Sequence, residues 1–436
     1  MITIEELYDL YLKHPIISTD TRKITSGNFF IALKGENFDA NQFAGKALED
    51  GAAYVLVDDA SVVKDNRYIL VDDTLLTLQL LATHHRQQLN IPFIGITGSN
   101  GKTTTKELLY SVLSQHFKTY ATQGNLNNHI GVPLTILSIT RETEMAIIEM
   151  GANHLKEIEL LCSISRPTHG LITNVGKAHL EGFGSLEGVK KGKGELYAYL
   201  SGNKDLAFVN HDNNNLVDMA RDHGLTQIAY YGTGNDNYIS GRLINSSPLT
   251  IAWRKNYQEA DALEHTVISN LTGKYNLENI LAAVCVGSYF KLSAEEVNNG
   301  IADYLPVNNR SQIKKTEKNL LICDYYNANP GSMTVALDNL MDIQAENKVV
   351  ILGDMFELGN DAATEHKLII DKALEVNAKR RIFIGKEFYS QKNAKAEFYS
   401  NTAEAIEAIR HNPIENSTIL IKGSRGMKFE TIAGLF

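Results

Sequence analysis

The feature that most constrains this chain is an apolar run that leads directly into a glycine-rich turn and then a helix. Residues 91–97 read IPFIGIT, residues 98–101 read GSNG, and a helical pattern follows from Thr104. A continuous apolar run of this length is typical of a buried parallel strand. Glycines let backbone N–H groups approach phosphate oxygens closely, and a helix N-terminus adds a favourable dipole. The pattern therefore predicts a phosphate-binding loop at the edge of a parallel sheet.

The side chains of this loop fit the same interpretation. Lys102 is placed to reach the outer phosphates of a nucleotide, and the Thr103 hydroxyl is placed to help hold Mg²⁺. The strict pattern has glycine where Ile96 stands, so this is a variant loop with Gly98 inside it. The alternative is a glycine-rich turn with a chance lysine, which the preceding strand and the following helix disfavour. The predicted nucleotide contacts of the loop are Gly98, Ser99, Asn100, Gly101, Lys102, Thr103 and Thr104.

A length of 436 residues indicates more than one domain. Beyond residue 90, apolar strands near 145–150, 170–175 and 205–210 alternate with helical stretches, which is typical of a doubly wound α/β domain. The segment 305–309 is interpreted as a linker, because a second strand–helix alternation begins after it. We therefore predict an α/β protein with a smaller N-terminal α/β domain, a central doubly wound phosphate-loop domain and a second α/β domain. The predicted bounds are 1–90, 91–306 and 307–436.

Composition excludes several classes of protein. The net charge of −9, from 42 basic and 51 acidic residues, provides no basic footprint for duplex nucleic acid. The three cysteines lack any CxxC spacing, so neither a disulfide framework nor a zinc site is expected. No basic segment with an apolar core opens the chain, and the longest apolar stretch, near 280–290, is about half of a bilayer span. We expect a soluble cytoplasmic protein without stable membrane insertion.

Polar side chains stand where the predicted central strands end, which is where doubly wound sheets bind ligands. Glu149 follows one strand, and His179 follows another after a short glycine-containing segment. Mg²⁺ bound to nucleotide phosphates usually takes only one or two carboxylates from the protein. The sequence therefore predicts Glu149 and His179 as metal ligands, the alternative being a solvated acid and an ordinary surface histidine.

Two further clusters of polar residues lie in the predicted central domain. One is basic, with Lys190, Lys191 and Lys193, and a solvated face close to the phosphates is an alternative reading of it. The other is a run of amides that can donate hydrogen bonds to a sugar or phosphate, or else form turns. The members of this second cluster are Asn125, Asn127 and Asn128.

Three predicted strands of the last domain also end in polar clusters. These clusters are 324–330 (DYYNANP), 353–359 (GDMFELG) and 422–426 (KGSRG). Because the carboxyl ends of parallel strands share one edge of a sheet, the clusters predict a second ligand-facing edge. The sequence therefore predicts an active site in a cleft between the central and last domains.

Taken in order, these motifs resemble those of the Mur ligases over nearly the whole chain. The segments that carry the resemblance are 97–104 (TGSNGKTT), 124–133 (GNLNNHIGVP), 149–153 (EMGAN), 174–185 (NVGKAHLEGFGS), 326–330 (YNANP), 352–359 (LGDMFELG) and 422–425 (KGSR). The resemblance implies a UDP-binding N-terminal domain, a central ATPase domain and a C-terminal Rossmann-like domain that receives the incoming amino component. It also implies ATP, two Mg²⁺ ions and a carbamylated lysine, which matches Lys193.

The resemblance assigns further site residues by their positions in these motifs. In the N-terminal domain the uridine-diphosphate contacts are Ser18, Thr21 and Arg22, while Asn41 stands where the family commonly has histidine. The ATP contacts outside the phosphate loop are Asn276, Asn279, Arg310 and Asp324, and Tyr275 replaces another common histidine. The residues expected to bind the nucleotide-linked and incoming substrates are Asn125, Asn127, Asn128, Asn327, Asn329, Lys422, Ser424 and Arg425.

The activity implied by the resemblance is an ATP-dependent ligation in peptidoglycan precursor synthesis, which supports cell shape and division. The motifs of the last domain favour addition of D-alanyl-D-alanine to UDP-N-acetylmuramoyl-tripeptide through an acyl phosphate. The protein is expected to be a monomer. The alternatives are a sibling ligase that adds the third amino acid, folylpolyglutamate synthetase, and a non-catalytic nucleotide-binding regulator. Within this interpretation, Lys102, His179 and Lys193 are the predicted catalytic residues.

Overall fold

The computed structural model describes residues 2–256 and 263–436 and contains three mixed α/β units, each built around its own sheet. The first unit has a parallel four-stranded sheet in the order β1-β2-β5-β6, with a short β3–β4 hairpin beside it. Its elements are α1 (Ile4–Lys13), β1 (Ile17–Ser18), β2 (Phe29–Ile31), β3 (Lys34–Gly35), β4 (Phe38–Asp39), α2 (Ala44–Glu49), β5 (Tyr54–Val57), β6 (Tyr68–Leu70) and α3 (Thr74–Gln87).

The second unit contains a nine-stranded sheet. Its strands are β7 (Phe93–Thr97), β8 (Thr119–Ala121), β9 (Met145–Glu149), β10 (His169–Ile172), β11 (Leu206–Asn210), β12 (Ile228–Gly232), β13 (Ile239–Ser246), β14 (Leu249–Lys255) and β15 (His265–Ser269). Its helices are α4 (Lys102–Leu113), α5 (Gly131–Leu137), α6 (Glu157–Ser165), α7 (Leu180–Phe183), α8 (Leu186–Asn203), α9 (Asn214–Asp222), α10 (Asn276–Tyr289) and α11 (Ala294–Asp303).

The order of these strands places the phosphate loop at a ligand-binding position. The sheet runs β15-β14-β13-β12-β11-β10-β7-β9-β8, and β7 pairs in parallel with both β9 and β10. The chain leaves β7 toward β9 and β8 on one side and later returns to β10 on the other. This reversal is the switch point at which open α/β sheets bind ligands beyond the strand ends. The antiparallel arm β13–β15 was not predicted from the sequence.

The third unit has a six-stranded sheet in the order β16-β17-β21-β18-β19-β20, in which only β16 is antiparallel to its neighbour. Its elements are β16 (Gln312–Lys315), β17 (Asn319–Asp324), α12 (Pro330–Asp342), β18 (Lys348–Gly353), α13 (Ala362–Glu375), β19 (Arg380–Ile384), α14 (Lys386–Tyr389), β20 (Glu397–Tyr399), α15 (Thr402–His411), β21 (Ser417–Lys422) and α16 (Glu430–Ala433). In the described part of the chain, no helix is long and apolar enough to cross a membrane.

Alternation along β7 shows how the central sheet is packed. Ile94 and Ile96 point into one buried cluster with α4 and α10. Phe93 points to the opposite cluster, which includes residues of α6 and α8. Gly95 faces the same way as Phe93, and a Cβ there would lie 2.6 Å from the Met150 methyl. The sheet is therefore covered on both faces, as a buried parallel strand requires.

Arg86, near the end of α3, ties the first unit to the second. Its guanidinium donates to the carbonyls of Ser165 (2.8 Å), Leu89 (2.7 Å) and Arg166 (2.9 Å), and it lies 3.7 Å from the centre of the Phe93 ring. Burial of the side chain lowers the pKa of Arg86 to about 10, and the neighbouring charge of Arg166 acts in the same direction.

We expect Arg86→Ala to reduce the free energy of unfolding by about 3 kcal/mol, because two buried carbonyls and one partly buried carbonyl lose a charged donor. Urea unfolding followed by circular dichroism measures this loss. Arg67→Ala is the matched control, since Arg67 is half exposed and pairs only with Asp65 at the surface. Equal effects of the two substitutions would contradict a linking role for Arg86.

Candidate active site

The turn between β7 and α4 has the geometry of an anion-binding loop. Gly98 and Gly101 both have positive φ, 143° and 81°. A Cβ on Gly98 would lie 2.1 Å from the Thr173 hydroxyl, so only glycine lets the loop pack against the end of β10. No side chain of the described residues caps α4, which leaves its first backbone N–H groups free for a ligand.

Asn174, just beyond β10, holds the tip of the loop. Its side-chain oxygen accepts from the Asn100 N–H (3.0 Å), and its amide nitrogen donates to the Asn100 carbonyl (3.1 Å). The Thr173 hydroxyl donates to the same carbonyl at 2.5 Å. Sequence reasoning did not name Asn174 as a site residue, although its position at a strand end of the central sheet was the signal that identified its neighbours.

Lys102 folds over the loop to which it belongs. Its ammonium donates to the carbonyls of Gly98 (2.5 Å) and Ser99 (3.2 Å). Desolvation lowers the pKa of Lys102 to about 8; the charge of Glu149 opposes this effect and that of Arg310 adds to it. Two cations of separate units therefore face one small space, which suits a polyanion.

Glu149 and Thr103 form a donor set suited to magnesium. Glu149 ends β9 with only 1% of its surface exposed. One of its carboxylate oxygens accepts from the Thr103 hydroxyl (3.0 Å), and the other accepts from the Asn127 amide (2.8 Å). One carboxylate with a hydroxyl is a typical protein contribution to a Mg²⁺ site whose other ligands are phosphate and water. The residues present fit the ion.

His179 contacts a different partner from the one its predicted metal role suggests. Its Nδ1 lies 2.5 Å from the Glu357 carboxylate on the loop after β18, and the adjacent Lys177 pairs with Glu365 at 2.7 Å. The hydrogen bond from His179 holds the pKa of Glu357 below its usual range. Within the described ranges, no three His, Cys, Asp or Glu side chains gather as a metal cluster. His179 thus joins the second and third units directly.

Lys193 differs from the two other lysines of its segment. It is 1% exposed and its Nζ donates to the Ala152 carbonyl at 3.0 Å, whereas Lys191 is exposed and Lys190 pairs with Glu187 at 2.9 Å. Burial lowers the pKa of Lys193 well below its ordinary value, and the nearby charge of Lys102 lowers it further. A neutral amine, which reaction with CO₂ requires, is therefore favoured at Lys193.

The start of α10 packs against the phosphate loop. Asn279 accepts from the Thr105 hydroxyl at 3.1 Å and donates to Asn276 at 2.8 Å. A Cβ on Gly101 would lie 2.8 Å from the Asn279 side-chain oxygen, so the glycine permits this approach. Both asparagines are buried, and both line the cleft beside the phosphate loop. Tyr275, which stands where Mur ligases commonly have histidine, forms a hydrogen bond with the Ser311 hydroxyl at 2.6 Å.

The opposite wall is formed by the strand ends of the third unit. The Asp324 carboxylate accepts from the Ser311 N–H (3.1 Å) and from the Lys422 ammonium (2.6 Å). Lys422 is only 2% exposed, so its charge is neutralised by Asp324. Ser424, 1% exposed, accepts from the Phe356 N–H at 3.0 Å. Both side chains help to shape this wall, and their predicted contacts with the dipeptide stay predictions.

The other predicted dipeptide residues separate into two groups. Asn329 caps α12, and its amide donates to the Asn100 side chain at 2.8 Å, so it contacts the phosphate loop. Arg425 is exposed, and its guanidinium donates to the Tyr326 hydroxyl at 3.2 Å. Asn327 is also exposed in the cleft, and its carbonyl accepts from Lys422. Asn329 therefore contacts the phosphate-loop side of the cleft, and its role in binding the dipeptide stays a prediction.

Between the two walls lies a cleft of about 1110 Å³. The predicted residues that line it are Ser99, Asn100, Gly101, Lys102, Thr104, Asn125, Asn127, Asn128, Glu149, His179, Asn276, Asn279, Arg310, Asp324, Asn327, Asn329, Lys422 and Arg425. Tyr326, Phe356 and Glu357 also line the cleft, within the clusters 324–330 and 353–359 that the sequence predicted to face a ligand. Other lining residues were not named as site residues from the sequence, among them Asn153, Glu157 and Asn174. One cleft thus unites the phosphate loop with the polar strand ends of the third unit.

The residues predicted in the N-terminal unit lie outside this cleft. The Ser18 hydroxyl donates to the Asp20 carbonyl, and Arg22, with a largely exposed side chain, pairs with the Asp20 carboxylate at 2.8 Å. Thr21 opens the short helical turn between them and β2. Asn41 is 1% exposed and donates to both Asp39 and Asp58 at 2.7 Å. Asn41 therefore has a structural role.

Comparison with known proteins covers all three units. The family description "Mur ligase family, catalytic domain" matches residues 14–86, "Mur ligase middle domain" matches 96–287, and "Mur ligase, glutamate ligase domain" matches 309–425. UDP-N-acetylmuramoyl-tripeptide--D-alanyl-D-alanine ligases of Bacillus subtilis (strain 168) and Escherichia coli (strain K12) are each 35% identical. Each alignment covers 95% of this chain and 92% of the relative.

Solved structures show the same arrangement. A crystal structure of MurF from Acinetobacter baumannii superposes with a TM-score of 0.85 at 31% identity, covering 96% of this chain and 92% of that one. MurF ligase from Thermotoga maritima in complex with ADP superposes with a TM-score of 0.85 at 24% identity, covering 98% and 97%. The second likeness concerns the fold alone.

Proposed function

The chain belongs to the Mur ligase family and is an ATP-dependent ligase, and we propose that it joins D-alanyl-D-alanine to UDP-N-acetylmuramoyl-tripeptide in peptidoglycan synthesis. The observation that carries the proposal is one cleft with two different walls. One wall holds the phosphate loop and the uncapped N-terminus of α4, and the other holds exposed Arg425. The two curated relatives with this substrate name match nearly the full length of the chain.

The peptide carboxylate has no good leaving group and must be activated before an amine can attack it. A carboxylate is a poor electrophile, because oxide is not a leaving group near neutral pH. Attack of one carboxylate oxygen on the γ-phosphorus of ATP releases ADP and forms an acyl phosphate. The amine of the dipeptide then attacks the acyl carbon and loses a proton, and phosphate leaves with its bridging oxygen. The protein contributes by positioning the reactants and neutralising charge.

Lys102 and Arg310 supply fixed positive charge for the phosphates in this scheme, and α4 supplies backbone N–H groups. Thr103 and Glu149 are the proposed magnesium ligands, with Lys193 as a carbamate supporting a second ion. Bound magnesium would neutralise charge on the phosphate oxygens. His179 is proposed as a further magnesium ligand, and its contact with Glu357 joins the third unit to the second. Closure of the cleft around the reactants would exclude water that hydrolyses the acyl phosphate.

The proposed division of labour follows the three sheets. Residues 1–90 are proposed to bind the uridine diphosphate through Ser18, Thr21 and Arg22, and residues 91–306 to bind ATP. Asn125, Asn127 and Asn128, which line the cleft, are proposed to bind the same substrate. Residues 307–436 are proposed to receive the dipeptide. A monomeric state and a cytoplasmic location stay predictions.

Two substitutions in the wall formed by the third unit distinguish residues that act on the nucleotide from residues that act on the dipeptide. We expect Arg425→Ala to raise the KM for D-alanyl-D-alanine about tenfold or more, because a carboxylate loses a charged partner. We expect Asn329→Ala to raise the KM for ATP instead, because Asn329 contacts Asn100. Steady-state kinetics with each substrate varied in turn gives both values. A rise confined to the dipeptide KM in Asn329→Ala would support the sequence-based prediction that Asn329 binds the dipeptide.

Phosphate release from ATP tests the proposed function. It should require both UDP-N-acetylmuramoyl-tripeptide and D-alanyl-D-alanine, and a comparison of lysine- and diaminopimelate-containing tripeptides would identify the accepted third residue. Release with UDP-N-acetylmuramoyl-dipeptide and a free amino acid would indicate a sibling ligase. Nucleotide binding with no release under any of these conditions would indicate a regulator.

A further inference from the structure

Three distant segments of the third unit meet at the ring of Tyr326. Tyr326 lines the cleft two residues after β17. The guanidinium carbon of Arg310, which precedes β16, lies 3.9 Å from the ring centre. That of Arg425, which follows β21, lies 5.2 Å from the same centre, and Arg425 also donates to the tyrosine hydroxyl at 3.2 Å. One side chain therefore contacts two cations in two different ways.

Both arginines lack the partner that cations usually have. Over residues 2–256 and 263–436, neither Arg310 nor Arg425 forms an ion pair with a carboxylate, whereas Arg380 of the same sheet pairs with Glu397 at 2.7 Å. The Nε of Arg310 is buried without a hydrogen-bond partner. An uncompensated guanidinium in a cleft is costly unless an anion binds there. The ring of Tyr326 orients the charge of Arg310 without neutralising it.

Both arginines line the cleft that also holds the phosphate loop. Arg310 shares this cleft with Lys102, so it is placed to meet the phosphates of a nucleotide. Arg425 is exposed on the wall that carries Asn327. The side chain of Tyr326 thus contacts both guanidinium groups.

We propose that Tyr326 is a positioning residue that aims Arg310 at the nucleotide through its ring and Arg425 at the dipeptide carboxylate through its hydroxyl. The proposal rests on the proposed function. Because the ring contacts Arg310 and the hydroxyl contacts Arg425, two substitutions distinguish the two roles. Tyr326→Phe keeps the ring and removes the hydroxyl, whereas Tyr326→Leu removes both.

The test is steady-state kinetics of the full-length protein with ATP and D-alanyl-D-alanine varied in turn. Tyr326→Phe should raise the KM for the dipeptide about tenfold and leave that for ATP within about twofold, since only a hydrogen bond to a charged group is lost. Tyr326→Leu should also raise the KM for ATP, by about fivefold, because Arg310 loses its stacking surface. Tyr389→Phe is the matched control, because Lys392 lies over this surface ring 4.8 Å from its centre.

An unchanged dipeptide KM in Tyr326→Phe overturns the proposal, as do equal rises of both KM values in both variants, which a purely structural role would produce. Thermal unfolding of each variant identifies a fold defect. If the wild-type protein shows no dipeptide-dependent phosphate release, the proposed function fails. ADP affinity by calorimetry then still tests the nucleotide half: Tyr326→Leu should bind more weakly than Tyr326→Phe, and equal affinities overturn that half.

Discussion

Lys102→Ala is expected to lower the rate of ligation by at least about 10³-fold, because the transferred phosphoryl group loses the one loop cation placed beside it. In the described structure the ammonium rests on the carbonyls of its own loop, within reach of the space that the phosphates would occupy. Arg310 belongs to the opposite wall and is held by Tyr326, so it cannot replace the missing charge.

The measurement is single-turnover product formation at saturating substrates, with circular dichroism to show that the fold is intact. Lys118→Ala is the control, since Lys118 is an exposed lysine of the same unit whose side chain is 69% exposed. Retention of more than a few per cent of wild-type turnover by Lys102→Ala would remove Lys102 from the set of catalytic residues.

Lys193→Ala is expected to lose about 10²-fold or more in turnover and to recover part of it when acetate is added. A buried ammonium beside Mg²⁺ would oppose metal binding, whereas a carbamate offers two oxygen ligands of the kind magnesium prefers. The cavity left by the shortened side chain can admit a small carboxylate that supplies similar oxygens. The lowered pKa of Lys193 supports the modification, because only the neutral amine adds to CO₂.

A readout independent of turnover is available for the same residue. A carbon-13 signal of a lysine carbamate should appear when the wild-type protein is incubated with labelled bicarbonate, and it should be absent in Lys193→Ala. Lys190→Ala and Lys191→Ala are the controls, because one lysine pairs with Glu187 and the other is exposed. Normal turnover in Lys193→Ala, or acetate rescue only at a neighbouring lysine, would contradict the assignment.

Local patterns predicted the parts of the site that lie on single elements. The strand before Gly98, the helix after it and the acid at the end of β9 were all predicted from the sequence, because parallel strands bring their carboxyl ends to one edge. The three strands predicted to end at the clusters 324–330, 353–359 and 422–426 also correspond to strands of the third sheet. Periodicity and turn composition are sufficient for features of this kind.

Contacts between units were beyond such reasoning. The hydrogen bonds from Asn329 to Asn100 and between His179 and Glu357 had no signal in the sequence. The predicted roles of Asn329 at the dipeptide and of His179 at the metal stay predictions. Each pair is separated by more than 170 residues, so its contact depends on how two units dock. The ion pair between Lys422 and Asp324 was likewise not predicted, because it depends on the pairing of β17 with β21. Strand order of this kind leaves no local signal.

The most direct test of the central claim follows the oxygen atoms of the peptide carboxylate. UDP-N-acetylmuramoyl-tripeptide labelled with oxygen-18 at both oxygens of its terminal carboxylate is incubated with ATP, Mg²⁺, D-alanyl-D-alanine and the protein. Mass spectrometry then measures the label in phosphate and in the ligated product. We predict one labelled oxygen in each phosphate released and one in the new amide carbonyl. Unlabelled phosphate alongside ligated product, or no ligated product, would contradict the account.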